Sequence, residues 1–327
     1  MTQLLIRLPL VFLAALLMLA GCTSESPRDP QDGASEEPAR PSVTVSETAE
    51  GYVFTEGDDS IMVYHATAPD PDRPHARAHY VHPLYGLEGT VLTEDFPEDH
   101  LHQHGLFWAW HQIYVGDERV GDGWMQENVE WVVRNVETHD EGPSAAILAT
   151  VDWFSPLHEG GDEPFIEERA TLIAHPVRDG YRTIDVTIEL RGLVEGVRLG
   201  GSEDEKGYGG LSLRIQLPDD VTFAGPDGRV EPRETAVAAG PWVNITATFD
   251  PTGDDSSGVA ILQHPTLPTY PQPWILRAAD SMQNPKWPGE DPVLLSTEEP
   301  VTLRYRLVVH DGSANAVTLN NWHDVFG

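Results

Sequence analysis

Apolar and polar residues alternate along much of the chain with a period of two, and Thr183-Ile-Asp-Val-Thr-Ile-Glu-Leu190 shows the pattern almost without a break. A strand turns successive side chains to opposite faces, so this segment predicts one wet face and one core face. Strand-like segments of the same kind are 51–55, 61–65, 79–85, 129–137, 145–154, 165–175, 211–217, 242–249, 258–263 and 301–310, separated by Gly, Pro and Asp turns. Leu106 to Val115 is apolar at nearly every position, which predicts a single strand buried on both faces. No segment carries a sustained i, i+3, i+4 apolar stripe with caps, so few or no helices are expected. The fold class this predicts is all-β, a large antiparallel β-sandwich. No internal repeat signals a propeller or solenoid.

The first residues change the picture. A basic start with Arg7, an apolar run from Leu8 and the tetrad Leu19-Ala20-Gly21-Cys22 read as a lipoprotein signal peptide over residues 1–22, with Cys22 as the lipidated residue. The run is shorter than the ~20 apolar residues that cross a bilayer. The protein is therefore expected to be exported and lipid-anchored in a bacterial cell envelope, on its periplasmic or surface face. Residues 23–48 are rich in Ser, Glu, Asp, Pro and Gly and predict a disordered acidic tether, leaving 49–327 as one β-sandwich domain. Cys22 is the only cysteine, so no intramolecular disulfide can form. The net charge of −33, from 53 acidic and 20 basic residues, argues against nucleic acid or an anionic membrane surface as partner.

Candidate chemistry concentrates between Asp95 and Trp110. His100, His102 and His104 stand at alternate positions, and on an extended segment their imidazoles would share one face. Groups that titrate near neutrality suit proton transfer or metal binding; histidines capping a polar turn are the plainer alternative. Within Phe165–Thr171, whichever of Glu167 and Glu168 faces inward would be a buried carboxylate with a raised pKa, useful as a base. The glycine-rich Glu203–Gly210 stretch could bring backbone close to a ligand, with Lys206, Tyr208 and Arg214 around it. The proline-rich 263–277 connection would present His264, Trp274 and Arg277. No Gly-x-Ser-x-Gly elbow and no His-Glu-x-x-His motif occurs, and the lone thiol is taken by the anchor.

His82-Pro-Leu-Tyr-Gly, the Asp95–Trp110 run, Gly207-Tyr-Gly-Gly, His264-Pro to Pro273-Trp-Ile-Leu-Arg277 and Leu303-Arg-Tyr-Arg together resemble a family of uncharacterised secreted bacterial proteins labelled PmoA, or methane-oxygenase-like. Methane oxidation is rejected, because a membrane oxygenase subunit needs several apolar stretches of ~20 residues. The resemblance implies an aldose-epimerase-like, galactose-mutarotase-like supersandwich, in which histidines and a carboxylate work on a sugar as acid and base. Carried onto this chain, it makes His102 and His104 proton donors or substrate clamps and Glu168 the base. His100, Trp110, Lys206, Tyr208, Arg214, His264, Trp274 and Arg277 would bind the substrate, with Trp110 and Trp274 stacking on the ring.

Three readings follow from the sequence. The first is a carbohydrate-active enzyme such as an epimerase, lyase or glycosidase, with carbohydrate as partner and no cofactor. The second is a non-catalytic protein that binds a glycan or a metal at the cell surface. The third is a cupin-like metalloenzyme holding a divalent metal on His100, His102 and His104 or His264, although no glutamate follows the His-x-His pair at the usual interval.

Overall fold

The computed structural model describes residues 42–140 and 142–327; the signal peptide, Cys22 and all but the end of the expected tether lie outside them. In chain order the strands are β1 (Val43–Thr48), β2 (Gly51–Glu56), β3 (Asp59–His65), β4 (Tyr80–Leu84), β5 (Leu106–Ala109), β6 (Gln112–Val115) and β7 (Glu118–Gly121). Then come β8 (Glu130–His139), β9 (Ala145–Phe154), β10 (Ile166–Ala174), β11 (Tyr181–Gly192), β12 (Val197–Gly200), β13 (Gly210–Leu213) and β14 (Thr222–Gly225). The last are β15 (Gly228–Arg229), β16 (Trp242–Ala247), β17 (Ser257–Gln263), β18 (Trp274–Ile275), β19 (Asn284–Pro285), β20 (Val293–Leu294) and β21 (Val301–Asp311), followed by the helix α1 (Ala316–Phe326).

A six-stranded sheet, β1-β2-β3-β4-β5-β13, faces a nine-stranded one, β15-β14-β16-β17-β21-β11-β10-β9-β8; smaller sheets are β20-β12-β6-β7 and β18-β19. Every pairing in the two large sheets is antiparallel, including the nine-residue register of β9 on β10 from Trp153↔Ile166 to Ala145↔Ala174. The fold is an all-β sandwich. Its main core interleaves Phe54, Met62, Tyr64 and Trp108 of the first sheet with Val151, Trp153, Ile188 and Tyr305 of the second. The period of two is visible in β10, where Ile166, Glu168, Ala170, Leu172 and Ala174 are buried and the residues between them are not.

Each large sheet also has a covered outer face. On the six-stranded sheet, Tyr80, Phe107 and Ala109 pack under loops that bring in Trp124 and Met282. On the nine-stranded sheet, Trp242, Ala260, Leu262 and Val308 are covered by Leu319 of α1. The Asn315 side chain caps α1 by accepting from the Thr318 amide.

Three sequence expectations need correction. The tether does not extend to residue 48, because Val43 and Val45 are buried and β1 pairs with β2 along its whole length. The run from Leu106 to Val115 is two strands in two different sheets, broken at Trp110-His111 where the chain crosses between them. Residues 98–103 are turns and loop rather than strand, and only His104 bridges back to Asp95; the Phe96 amide bonds to the Gln103 carbonyl, and the three histidines therefore do not line one face. Among the described residues no helix is long and apolar enough to cross a membrane.

Candidate functional site

Strand β3 ends in His65, paired in register with Tyr80 at the start of β4. His65 and His82 thus come to the rim of the six-stranded sheet, where they line a cleft of about 950 Å³ together with Asp95, Glu50, Tyr52 and Arg134. The other wall is the β8 edge of the nine-stranded sheet, through residues 133–136. This cleft brings His65, His82 and Asp95 into mutual electrostatic range, which makes it the candidate site.

Hydrogen bonds set the two imidazoles in opposite tautomers. His65 Nε2 lies 2.6 Å from the His82 carbonyl oxygen, which can only accept, so this nitrogen carries the hydrogen and Nδ1 keeps the lone pair. The buried Thr93 hydroxyl accepts the Leu84 amide at 3.1 Å and satisfies its own hydrogen by donating to His82 Nδ1 at 3.0 Å. His82 Nε2 then carries a hydrogen, and it makes no hydrogen bond within the described residues. Burial lowers the pKa of both rings; in His82 the neighbouring His65 lowers it too, while Asp95 pulls each of them back up. Both are neutral at pH 7.

Asp95 joins this pair to the loop behind it. Its carboxylate accepts from His104 Nδ1 at 2.8 Å and from the Tyr80 hydroxyl at 3.1 Å. Burial works to raise its pKa, but the two donors outweigh burial and hold it below the ordinary carboxylate range. Tyr80 is pushed far up by burial and by Asp95, so its hydroxyl stays protonated. His104 is fully buried; with Nδ1 donating to Asp95, its Nε2 accepts from Gln126 Nε2 at 3.0 Å. Burial drives its pKa down to about 4. A ring with both nitrogens engaged orients Asp95 and has no proton to offer a ligand.

Glu168 lies elsewhere. It is fully buried on the core face of β10, where it accepts from His79 Nε2 at 2.7 Å, Trp108 Nε1 at 2.5 Å and Trp153 Nε1 at 2.8 Å. The Tyr64 hydroxyl bonds to the other nitrogen of His79 at 2.7 Å. Arg77, also buried, holds its guanidinium 4.3 Å from the Trp131 ring centre. Burial lowers the pKa of Arg77 to about 10 while the charge of Glu168 works to raise it. The expected base is thus a buried counter-charge with its lone pairs engaged, and no hydrogen bond links it to His100, His102 or His104.

The other expected residues scatter. His102 is half-buried in its turn, edge-on to His75 and His100 at 5.9 and 5.5 Å, with its pKa lowered to about 4 by burial and then by neighbouring histidines. His100 is more exposed and bonded to Asp99. Trp110 and Trp274 are fully buried and donate to the Trp287 and Gly240 carbonyls, so neither offers a ring face to a sugar. Arg214 is buried and bound to Glu94, Asp99 and Gln103. His264 bonds to Thr266 and meets Phe326 of α1. Arg277 donates to the Arg233 and Glu234 carbonyls, Lys206 pairs with Asp204, and Tyr208 sits edge-on to Trp124. Gly207 of the 203–210 loop serves chain packing: a Cβ on it would fall 2.8 Å from the Glu290 amide, and one on Gly201, just before the loop, 2.4 Å from the Gly207 carbonyl oxygen. Among the described residues no group of three or more His, Cys, Asp or Glu side chains is arranged to hold a metal ion.

The sequence reading passed over His65, Tyr80 and Asp95 as site residues, and took His82 only as part of a family motif. The available signal was the alternation Tyr80-Val-His82 beside Tyr64-His65, which places polar rings on the face opposite the core residues Tyr64 and Val81.

Two solved structures are similar at low identity. A proposed mutarotase (YeaD) from Salmonella typhimurium shares 10% identity at a TM-score of 0.35, over 83% of this chain and 88% of that one. A proposed kojibiose phosphorylase from the human microbiome shares 8% at 0.32, over 87% of this chain but only 32% of its own length. Neither score is high enough to carry a fold or a chemistry across. No curated protein sequence matches, and the comparisons bring no methane-oxygenase label. Residues 52–323 match a family of unknown function (DUF6807), and the chain belongs to that family.

Proposed function

We propose that the cleft binds a carbohydrate and that His65 and His82 handle protons on it. The observation that carries this reading is two half-buried imidazoles lining one cleft, His65 with Nε2 on a carbonyl and His82 with Nδ1 on a hydroxyl; the tautomers these partners favour leave a lone pair on one ring and an N–H on the other. A base and an acid side by side can take a proton from one hydroxyl or carbon and return it to another position without a net change of charge in the site. Asp95, held by His104 and Tyr80, acts on both rings through its charge. A cleft of about 950 Å³ has room for several sugar units, and polar lining residues such as Glu50, Thr48 and Asn135 suit hydroxyl groups.

A second reading is binding without turnover. It is favoured by the lowered pKa of both imidazoles, since proton transfer is most efficient when the pKa lies near the working pH. Both are tested by titrating an oligosaccharide panel into the protein by calorimetry and following each bound sugar by NMR for anomeric exchange, epimerisation or cleavage. Binding with a chemical change supports the acid–base pair, binding alone supports the second reading, and no binding refutes both. Export and lipid anchoring through Cys22 belong to the same proposal. Mass spectrometry of the mature N-terminus tests them, and an unmodified Cys22 counts against the anchor.

A further inference from the structure

We propose that the ligand of this cleft is a sugar that is uncharged or carries an ammonium group, and that uronic, sulfated and phosphorylated glycans are rejected. The inference rests on the carbohydrate reading and adds its charge class. Three carboxylates, those of Glu47, Glu50 and Asp95, line the cleft, and Arg134 is the one cation in its lining. That cation is committed: Arg134 Nε lies 2.8 Å from Asp152 Oδ2 and Nη2 lies 2.8 Å from Glu167 Oε2. Glu167 is shared further with Arg191 at 2.8 Å, so the network on the outer face of β8, β9, β10 and β11 is internally balanced. His65 and His82 add no positive charge at neutral pH, because burial keeps them deprotonated.

A sugar carboxylate entering here would meet like charges with no free cation among the described lining residues. Like charges brought together across an interface repel and select against the wrong partner. An ammonium group meets the opposite situation. Glu50 and Asp95 both act on His65 through their charge, so an ammonium beside that ring lies in the field of two carboxylates. The overall charge of −33 adds a long-range repulsion of polyanions. This disfavours a lyase acting on uronates among the sugar chemistries and leaves neutral glycans and amino sugars.

The test is calorimetric titration of the full chain with matched tetrasaccharides of glucosamine, N-acetylglucosamine, glucose and galacturonate, at low and high ionic strength. The glucosamine oligomer is expected to bind at least about tenfold tighter than the galacturonate oligomer, and salt should narrow the gap. Glu50→Gln, on the exposed β1–β2 turn where the fold does not depend on its charge, should narrow it as well. Equal binding of all four, or tighter binding of galacturonate, overturns the charge selection and leaves the carbohydrate reading standing. A ratio unaffected by Glu50→Gln overturns the role of the cleft carboxylates. Binding of none of the four overturns the carbohydrate reading and this inference with it.

Discussion

Replacing Glu168 by glutamine tests whether this carboxylate is a structural counter-charge or a base. The substitution keeps the shape and leaves an oxygen where Oε1 accepts from His79 and Trp108, but it puts an NH₂ where Oε2 accepts the Trp153 indole N–H. One buried donor then faces another, and a hydrogen bond to a charged group, worth about 1.5–3 kcal/mol, is lost. The two remaining bonds weaken because their acceptor is neutral. Arg77 keeps its buried positive charge without the opposing one that Glu168 supplied. Arg77 and Glu168 interact through their charges without a direct ion pair, so the lost bond, the two weakened ones and the weaker field at Arg77 together set the expected total at about 3 kcal/mol. Urea unfolding followed by tryptophan fluorescence measures it directly. The double variant with Arg77→Met should be destabilised by less than the sum of the singles, since the second change removes the orphaned charge. A loss below about 1 kcal/mol for Glu168→Gln would refute the counter-charge account, since it is well under the cost of one such bond.

Stability should fall in mild acid. His104 has a folded pKa of about 4, below its ordinary 6.5, so between these values the unfolded chain binds the extra proton and stability rises with pH. The same group costs the fold about 3 kcal/mol once pH has dropped below 4, and Asp95, held low, adds its own loss further down. Thermal melts from pH 7 to 4 should show the decline, and His104→Gln should make it shallower while the contribution of His102 remains; a flat wild-type profile contradicts the assignment. Deleting residues through 48 removes Val43 and Val45 from the core at about 1.5–3 kcal/mol each, so that truncation should lower the melting temperature sharply. Deletion through 41 should leave it unchanged, and equal melting of the two would return β1 to the tether. Arg214→Ala strands Glu94, Asp99 and Gln103 and should destabilise by about 2–4 kcal/mol; hydrogen exchange should speed up in residues 94–104, and unchanged exchange there contradicts the assignment.

The sandwich was legible in the sequence because a half-buried strand advertises its two faces, as 183–190 does. What failed was local. The Leu106–Val115 run does mark its break with two polar residues, His111 and Gln112, but apolar residues flank them so closely on both sides that the stretch reads as one strand. Helix α1 did carry a signal, Asn315 at the cap with Leu319, Trp322 and Phe326 on one side, but it is short and only Leu319 is fully buried. Alternation says that one of Glu167 and Glu168 faces inward without saying which, and the structure turns Glu168 to the core; alternation says nothing about which groups meet it, and His79, Trp108 and Trp153 come from three other segments. The histidine loop drew attention by spacing. The cleft histidines, on neighbouring strands 17 residues apart, become adjacent only through the β3–β4 pairing.

The most direct measurement of the central claim compares oligosaccharide binding to the wild type with binding to His65→Ala, His82→Ala and His102→Ala by calorimetry, each variant checked for folding by circular dichroism. The account predicts that the two cleft variants lose about tenfold or more in affinity, the cost of an orphaned hydrogen bond to the ligand. Loss of binding in His102→Ala with both cleft variants intact would contradict it and return the site to the histidine loop.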